Sequence, residues 1–251
     1  MKNVQLEDPD AYAHSVGYLR IRKFVRKFMP FLISPWTSLK RVVWRIRYRS
    51  PEERFTQIHK SNYWANAESL SGGGSTMEAT AETRKALEQF TKDYQIRSVL
   101  DVPCGDFHWM QHVDLGVPYI GGDIVDALVK ENESRYGSST RRFQVIDLTE
   151  TRLPPCDLVH TRDCLNHLSI GDIQSAIANI SASGARYLAV TDFPDAKVNR
   201  NQASGFTYRE LNFRLAPFGW PEPILMWDEK FDTGKFLSFW KISDIPSNDR
   251  A

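Results

Sequence analysis

The chain is poor in cysteine. Three occur in 251 residues, Cys104, Cys156 and Cys164, and none forms a CxxC pair. Neither a disulfide framework nor a zinc knuckle is expected, and a reducing compartment fits. Long apolar runs are missing as well. The best candidate, residues 28–36, is nine residues long and is broken by Pro30 and Pro35, well short of the ~20 residues a membrane-spanning helix needs. That stretch also lacks a small-residue cleavage site, so no signal peptide is expected. Acidic residues are missing from one long segment, since none lies between Asp10 and Glu52. Residues 1–50 carry 11 Lys and Arg against 3 acids, whereas residues 51–251 carry 21 against 28, so a net charge of +1 conceals two oppositely charged parts.

What is present describes a folded chain. A hydrophobic share of 41% beside 25% charged residues is globular rather than disordered. The length suits one domain with appendages. The expected division is a basic amphipathic extension over 1–50, a helical lid with a Gly-rich loop over 51–75, and an α/β domain over 76–251. In the extension, Tyr18, Ile21, Phe24, Val25, Phe28 and Met29 fall on one side of a helix, and Arg20, Arg22, Lys23, Arg26 and Lys27 on the other. Three readings follow: an interfacial helix on an anionic membrane surface through residues 11–50, a helix docked on the body, or an RNA-binding arm. The acidic remainder argues against nucleic acid as the main partner. A cytoplasmic protein is expected, held at the inner face of the membrane by this arm.

Beyond residue 80 the pattern alternates. Residues 82–94 have helical spacing; 97–102 read as a buried strand; 107–113 as a helix start; 119–124 as a second strand and 125–135 as a helix. Residues 142–147, 157–161 and 186–191 add three strands, with a helix over 170–181. Short β-rich runs alternating with helices imply parallel strands joined by crossovers. Residues 224–227 and 236–242 have no helix between them, only a turn with Gly234, and predict a terminal antiparallel hairpin.

In such sheets ligands sit beyond the carboxyl ends of the strands. The first strand ends in Asp101-Val102-Pro103-Cys104-Gly105-Asp106. Gly105 permits a positive φ and close approach of a ligand. Asp101 and Asp106 flank it with negative charge, which disfavours a phosphate and favours a cation. Asp123 and Asp147 end the next two strands, 22 and 24 residues further on. Asp123 suits a pair of ribose hydroxyls, and Asp147 the exocyclic amine of an adenine. The charge of the site points to a sulfonium nucleoside rather than a pyrophosphate.

The stretches VLDVPCGDF (99–107), YIGGDIV (119–125), FQVIDL (143–148), DLVHTRDCLNHLS (157–169) and YLAVTDF (187–193) resemble the class I S-adenosylmethionine-dependent methyltransferases. The resemblance covers roughly residues 76–242. It implies a Rossmann-like, mostly parallel seven-stranded sheet whose last strand is antiparallel. It implies Asp101, Cys104, Gly105 and Asp106 on the methionine side of the cofactor, Asp123 with Ile124 on the ribose, and Asp147 with Leu148 near the adenine. Arg162 and Asp163 fall beside the methionine or methyl group, and Gly73 and Arg84 close over the cofactor carboxylate. The blocks PCGDFHWM and RDCLNHLS resemble a bacterial subfamily of sugar O-methyltransferases acting on polysaccharides and glycolipids, the rhizobial nodulation-factor fucose 2-O-methyltransferases among them. Pro103 replaces the usual first glycine, as it does in that subfamily.

The acceptor chemistry is read from the residues around the strand ends. No NPPY-type tetrapeptide follows the fourth strand, where this chain has His160-Thr161-Arg162-Asp163-Cys164. That disfavours an exocyclic amine as target. A sugar hydroxyl needs a base within hydrogen-bond reach, and the candidates are His167, Asp163 and Asp192. If a helix begins at Asp163, His167 four residues on shares its face, and the carboxylate can orient the imidazole. His167 as a helix cap or packing residue stays open. So does Asp192 as base or metal ligand, although Asp163, Asp192 and Asn199 have no specific metal-ligand spacing and no metal is expected. Residues 193–223, with Asn199, Asn201, Gln202, Tyr208, Arg209, Asn212, Phe218 and Trp220, are expected to form the acceptor wall. Tyr63 and Trp64 are expected in a lid. The leading expectation is methylation of a sugar hydroxyl on a glycolipid, oligosaccharide or polysaccharide. An RNA or protein methyltransferase and a non-catalytic adenosyl-binding module are the alternatives.

Overall fold

The computed structural model describes residues 47–246. The expected membrane arm lies outside the described residues apart from its last four. Helix α1, Pro51–Lys60, opens on a reciprocal cap: the Ser50 hydroxyl accepts from the Glu53 amide while the Glu53 carboxylate reaches back to the Ser50 amide, with Pro51 in the first turn. A loop and a 3-10 turn over Gly73–Ser75 lead to α2, Ala81–Asp93.

The sheet follows. Its strands are β1 (Val99–Asp101), β2 (Tyr119–Asp123), β3 (Arg141–Val145), β4 (Leu158–Thr161), β5 (Tyr187–Asp192), β6 (Leu225–Asp228) and β7 (Phe236–Lys241), with α3 (Asp126–Tyr136) and α4 (Ile170–Ala182) between them. The spatial order is β3-β2-β1-β4-β5-β7-β6. Strands β1 to β5 run parallel, and β7 pairs antiparallel with both β5 and β6.

The central strands β1, β4 and β5 are buried almost throughout because both faces are covered, and their polar residues gather at the carboxyl ends. Successive residues serve opposite cores, as the period of two requires. Leu100, Val159 and Leu188 pack with Ile173, Ile177 and Ile180 of α4 on one face. Val99, Leu158 and Ala189 pack with Ala86, Leu87 and Phe90 of α2 on the other. Phe90 stacks on Phe239 and on Tyr94, both with ring centroids 4.1 Å apart. That tie between α2 and β7 buries a full aromatic side chain, worth about 1.5–3 kcal/mol.

One expectation over 107–113 is corrected. Only Met110–His112 forms a 3-10 turn. Phe107, Trp109, Met110 and Val113 are all buried at helix-like spacing, but Phe107 has φ 56°, which no right-handed helix accommodates. No helix among the described residues is long and apolar enough to cross a membrane.

Candidate active site

The chain runs outward from β1 through β2 to β3 and then returns to β4 on the other side of β1, so the strand order reverses there and a cleft for a ligand opens at the carboxyl ends of β1 and β4. Asp101, at the end of β1, lies beneath that cleft. Its two oxygens are taken by the Tyr119 hydroxyl and by His160 Nδ1, each at 2.7 Å. His160 is its register partner on β4. Asp101 is therefore a buried brace between β1, β2 and β4.

Gly105 follows with φ 57°. A Cβ there would collide with the Ser71 hydroxyl, so only glycine lets the Gly-rich loop close onto the β1 turn. Asp106 fastens the same two segments. Its carboxylate accepts from Ser69 Oγ at 2.9 Å, from the Leu70 amide at 2.7 Å and from Ser71 Oγ at 3.3 Å. Gly73 lies in this loop next to Asn66, and Arg84 donates to the Met77 carbonyl at 3.0 Å.

Asp123 ends β2 and is 6% exposed. It accepts from the Val125 amide at 3.0 Å and the Gly105 amide at 3.2 Å. Burial pushes its carboxyl up to about 6, against the pull of those amides. Cys104 is packed nearby, its thiol pushed well up by burial and by Asp123 and Asp101. Ile124 is half-buried next to Asp123. Asp147 holds its own turn, accepting from the Thr149 amide at 2.8 Å and hydroxyl at 2.6 Å. Leu148 is buried in the core beside it.

The end of β4 carries an ion network that joins distant parts of the chain. Arg162 Nε and Nη2 hold the two oxygens of Glu229 at 2.8 Å each, and Nη1 donates to the Gly74 carbonyl at 2.8 Å. Lys235 Nζ lies 2.6 Å from Asp163 and 3.1 Å from Glu229. Two buried cations thus face the buried Glu229 and the partly exposed Asp163. Burial alone would raise the Asp163 carboxyl, but Lys235 and Arg162 outweigh it and hold Asp163 well below the usual carboxylate range. The Tyr208 hydroxyl donates to its other oxygen at 3.0 Å. An anion so heavily neutralised is a poor base.

The expected pairing of Asp163 with His167 is not formed. Asp163 has φ 52°, the chain passes through a 3-10 turn at Leu165–His167, and α4 begins only at Ile170, so the two residues do not share a helix face. His167 is oriented by the Thr207 carbonyl, 3.1 Å from Nδ1. With the proton on Nδ1 and donated there, Nε2 carries a free lone pair. The ring sits among Trp64, Tyr208 and Phe55 at centroid distances of 5.8, 5.2 and 6.5 Å. Burial lowers its pKa against the opposing pull of Asp163, so the imidazole is neutral near pH 7.

Asp192 is set apart. It is fully buried at the end of β5, with Arg214 at 2.9 Å and Ser238 Oγ at 3.2 Å. Burial raises its carboxyl despite Arg214, yet the group is enclosed and paired, which suits a structural part. Much of the expected acceptor wall is also internal scaffold. Asn199 and Asn212 exchange side chain-to-backbone bonds of 2.8 and 2.9 Å. Trp220 stacks on Phe213 at 4.4 Å, and Phe218 packs on the same ring. Tyr208 and Trp64 do face His167, and Tyr63 packs on Phe206 at 5.8 Å. Among the described residues no group of His, Cys, Asp and Glu could hold a metal ion.

No protein-family model matches the chain, and no curated protein does. Solved structures do. Human N-acetylserotonin methyltransferase in complex with SAM is similar with a TM-score of 0.50 at 14% identity, over 78% of this chain and 58% of that one. The chain thus spans under two thirds of that protein. The N-methyltransferase NodS from Bradyrhizobium japonicum, in complex with S-adenosyl-L-homocysteine, is similar with a TM-score of 0.45 at 14% identity, over 54% of this chain and 73% of that one. A SAM-bound amino pentose methyltransferase from Micromonospora echinaspora has a TM-score of 0.39 at 19% identity, over 47% of this chain and 51% of that one. The first of these likenesses, together with the strand order, establishes the fold: the Rossmann-like methyltransferase fold, mostly parallel with an antiparallel C-terminal pair.

Proposed function

We propose that the chain is an S-adenosylmethionine-dependent O-methyltransferase whose acceptor is a sugar hydroxyl, with His167 as the base. The observation that carries this reading is the placement of His167, whose Nδ1 is held by the Thr207 carbonyl and whose ring lies among Phe55, Trp64 and Tyr208. Of the three base candidates it alone is not already committed to a cation.

The site's donor set suits the cofactor. Asp123 is a buried carboxylate held by backbone amides, the kind of acceptor that a pair of ribose hydroxyls would complete. Gly105 leaves the backbone bare beside it. Asp101, Asp106 and Asp123 make the β1–β2 corner anionic, in keeping with a cationic sulfur. When bound, S-adenosylmethionine supplies a methyl group on positively charged sulfur, whose transfer leaves a neutral thioether. His167 Nε2 accepts the proton of the acceptor hydroxyl as its oxygen bonds to the methyl carbon. The aromatic rings around His167 exclude water and present flat apolar faces to the CH face of a sugar. The Asp106 clasp holds the Gly-rich loop over the cofactor end of the cleft, and Arg162 and Lys235 neutralise Asp163 so that it does not compete for the proton.

A glycolipid or lipid-linked glycan is the acceptor we favour, because the basic segment would hold the enzyme against anionic lipid; an oligosaccharide, including a nodulation-factor fucose, or a polysaccharide falls in the same class. The test is incubation with methyl-labelled cofactor and separated glycolipid, polysaccharide, RNA and protein fractions. Label in a glycan-bearing fraction supports the reading. Label confined to RNA or protein, or cofactor binding with no transfer, overturns it. Vesicle sedimentation with and without residues 1–46 tests the arm separately.

A further inference from the structure

Arg209 is a buried cation without a counter-ion among the described residues. It is 8% exposed, and one nitrogen, Nη1, donates to the Leu168 carbonyl at 2.5 Å. Nε and Nη2 are enclosed and have no hydrogen-bond partner. These two nitrogens form one edge of the guanidinium, the edge that takes both oxygens of a carboxylate or phosphate side by side. The same protein shows that pairing at Arg162, whose Nε and Nη2 hold the two oxygens of Glu229. At Arg209 burial drags the guanidinium down to about 10, and no carboxylate opposes it. Arg214 also has one unpartnered nitrogen, but Asp192 meets its charge. Leaving an ion buried and unpaired costs several kcal/mol, which a packing role does not require, since an apolar side chain would fill the same space.

Its position gives the charge a use. The Arg209 amide donates to the Asn166 carbonyl at 3.1 Å, Asn166 Nδ2 donates back to the Arg209 carbonyl at 2.9 Å, and Gln202 Nε2 bridges the Asn166 and Thr207 carbonyls at 2.9 Å each. Arg209 is thereby fixed against the turn that carries His167, one residue from Tyr208. Its charge is near enough to oppose protonation of His167.

We propose that the Nε–Nη2 edge of Arg209 is an oxyanion subsite of the acceptor pocket, so that the methyl acceptor bears a carboxylate or a phosphate near the hydroxyl that is methylated. This rests on the O-methyltransferase reading and narrows its acceptors to acidic or phosphorylated glycans. It also gives the anion a part in the reaction. An oxyanion on Arg209 cancels a positive charge that weakens His167 as a base, so the base strengthens once the acidic acceptor is seated.

The test is thermal melting of the full chain saturated with S-adenosylhomocysteine, with ionic strength held constant by chloride. Inorganic phosphate, D-glucuronate and neutral D-glucose are titrated in turn. Phosphate or glucuronate should raise the melting temperature and glucose should not; the larger of the two anion shifts identifies phosphate or carboxylate as the group. Arg209→Met should remove the shift and Arg209→Lys should reduce it, with S-adenosylhomocysteine binding by calorimetry retained. No shift with either anion beyond that of chloride overturns the subsite, as does a shift that survives in Arg209→Met. If the variants do not fold, the comparison of anions with glucose and chloride on the unaltered chain still decides. Failure of S-adenosylhomocysteine to bind, with the anion shifts intact, would count against the cofactor reading and leave the subsite standing.

Discussion

Asp123 offers a sharp test of the cofactor assignment. In the free protein its carboxylate is bonded to backbone amides, those of Gly105 and Val125 foremost. A bound ribose would add two hydroxyl donors to a charged acceptor, each worth about 1.5–3 kcal/mol. Replacement by alanine removes both, while water recovers part of the loss. The expected penalty is about 2–4 kcal/mol, roughly 30- to 1,000-fold in Kd. Burial gives the experiment a second axis. Because the free carboxyl is pushed up to about 6, it is protonated below that pH and must lose its proton to accept both hydroxyls. The affinity of the unaltered chain should therefore fall as pH drops below about 6, by up to about tenfold per unit. Asp123→Asn should bind with intermediate affinity and show none of that slope. Calorimetry with S-adenosylhomocysteine from about pH 8 to about pH 5 reads both effects. Unchanged affinity in the alanine variant, or a flat profile for the unaltered chain, would refute the ribose assignment.

Further expectations concern the base and the ion networks. His167→Ala should lower turnover by about 10²-fold or more while cofactor binding persists. Because burial lowers the pKa of His167, the rate of the unaltered enzyme should be flat above the ordinary imidazole range and fall in acid; a near-normal rate in the variant would make the residue structural. Glu229→Gln leaves Arg162 and Lys235 buried with one carboxylate between them, and should cost about 3–5 kcal/mol of stability in urea denaturation; a loss under about 1 kcal/mol would show the network to be dispensable. Asp157 ties Arg97 and Arg186 at the opposite end of the sheet. Burial pushes its carboxyl up, but the two arginines prevail and set it at about 2, below the ordinary 3.8. Its stabilising effect should be full above the ordinary value and lost as pH falls from about 4 toward 2, so Asp157→Asn and the unaltered chain should converge in acid and differ at neutral pH.

The fold was largely legible because both faces of the sheet are covered. Short runs that open on consecutive apolar residues, such as Leu158–Val159 and Leu188–Val190, announce buried strands without reference to their neighbours. The strand-end acids were equally visible. What fills their hydrogen-bonding capacity was not. Asp101 could have been matched to His160 only by knowing that β1 lies beside β4. The carbonyl that orients His167 belongs to Thr207, and a backbone oxygen leaves no mark in a sequence. Lys235, 72 residues from Asp163, and Glu229 read as ordinary turn charges between two strands; the hint was two opposite charges six residues apart at the mouths of a short hairpin. The polar 193–223 stretch misled for a related reason. Asn199 and Asn212 are amides that satisfy carbonyls of an irregular buried loop, and composition alone does not distinguish that from a surface that binds hydroxyls.

The ion network at the end of β4 also sets an order of events during synthesis. Glu229 and Lys235 arrive from the hairpin, Arg162 and Asp163 from mid-chain, and the Gly74 carbonyl from upstream. On a chain emerging from the ribosome, Arg162 can reach the Gly74 carbonyl early, but Arg162 and Asp163 meet Glu229 and Lys235 only after residue 235 has cleared the exit tunnel. Until then Arg162 and Asp163 are two charges without their ionic partners, and a nascent fragment ending before the hairpin carries the parallel strands with this network half built.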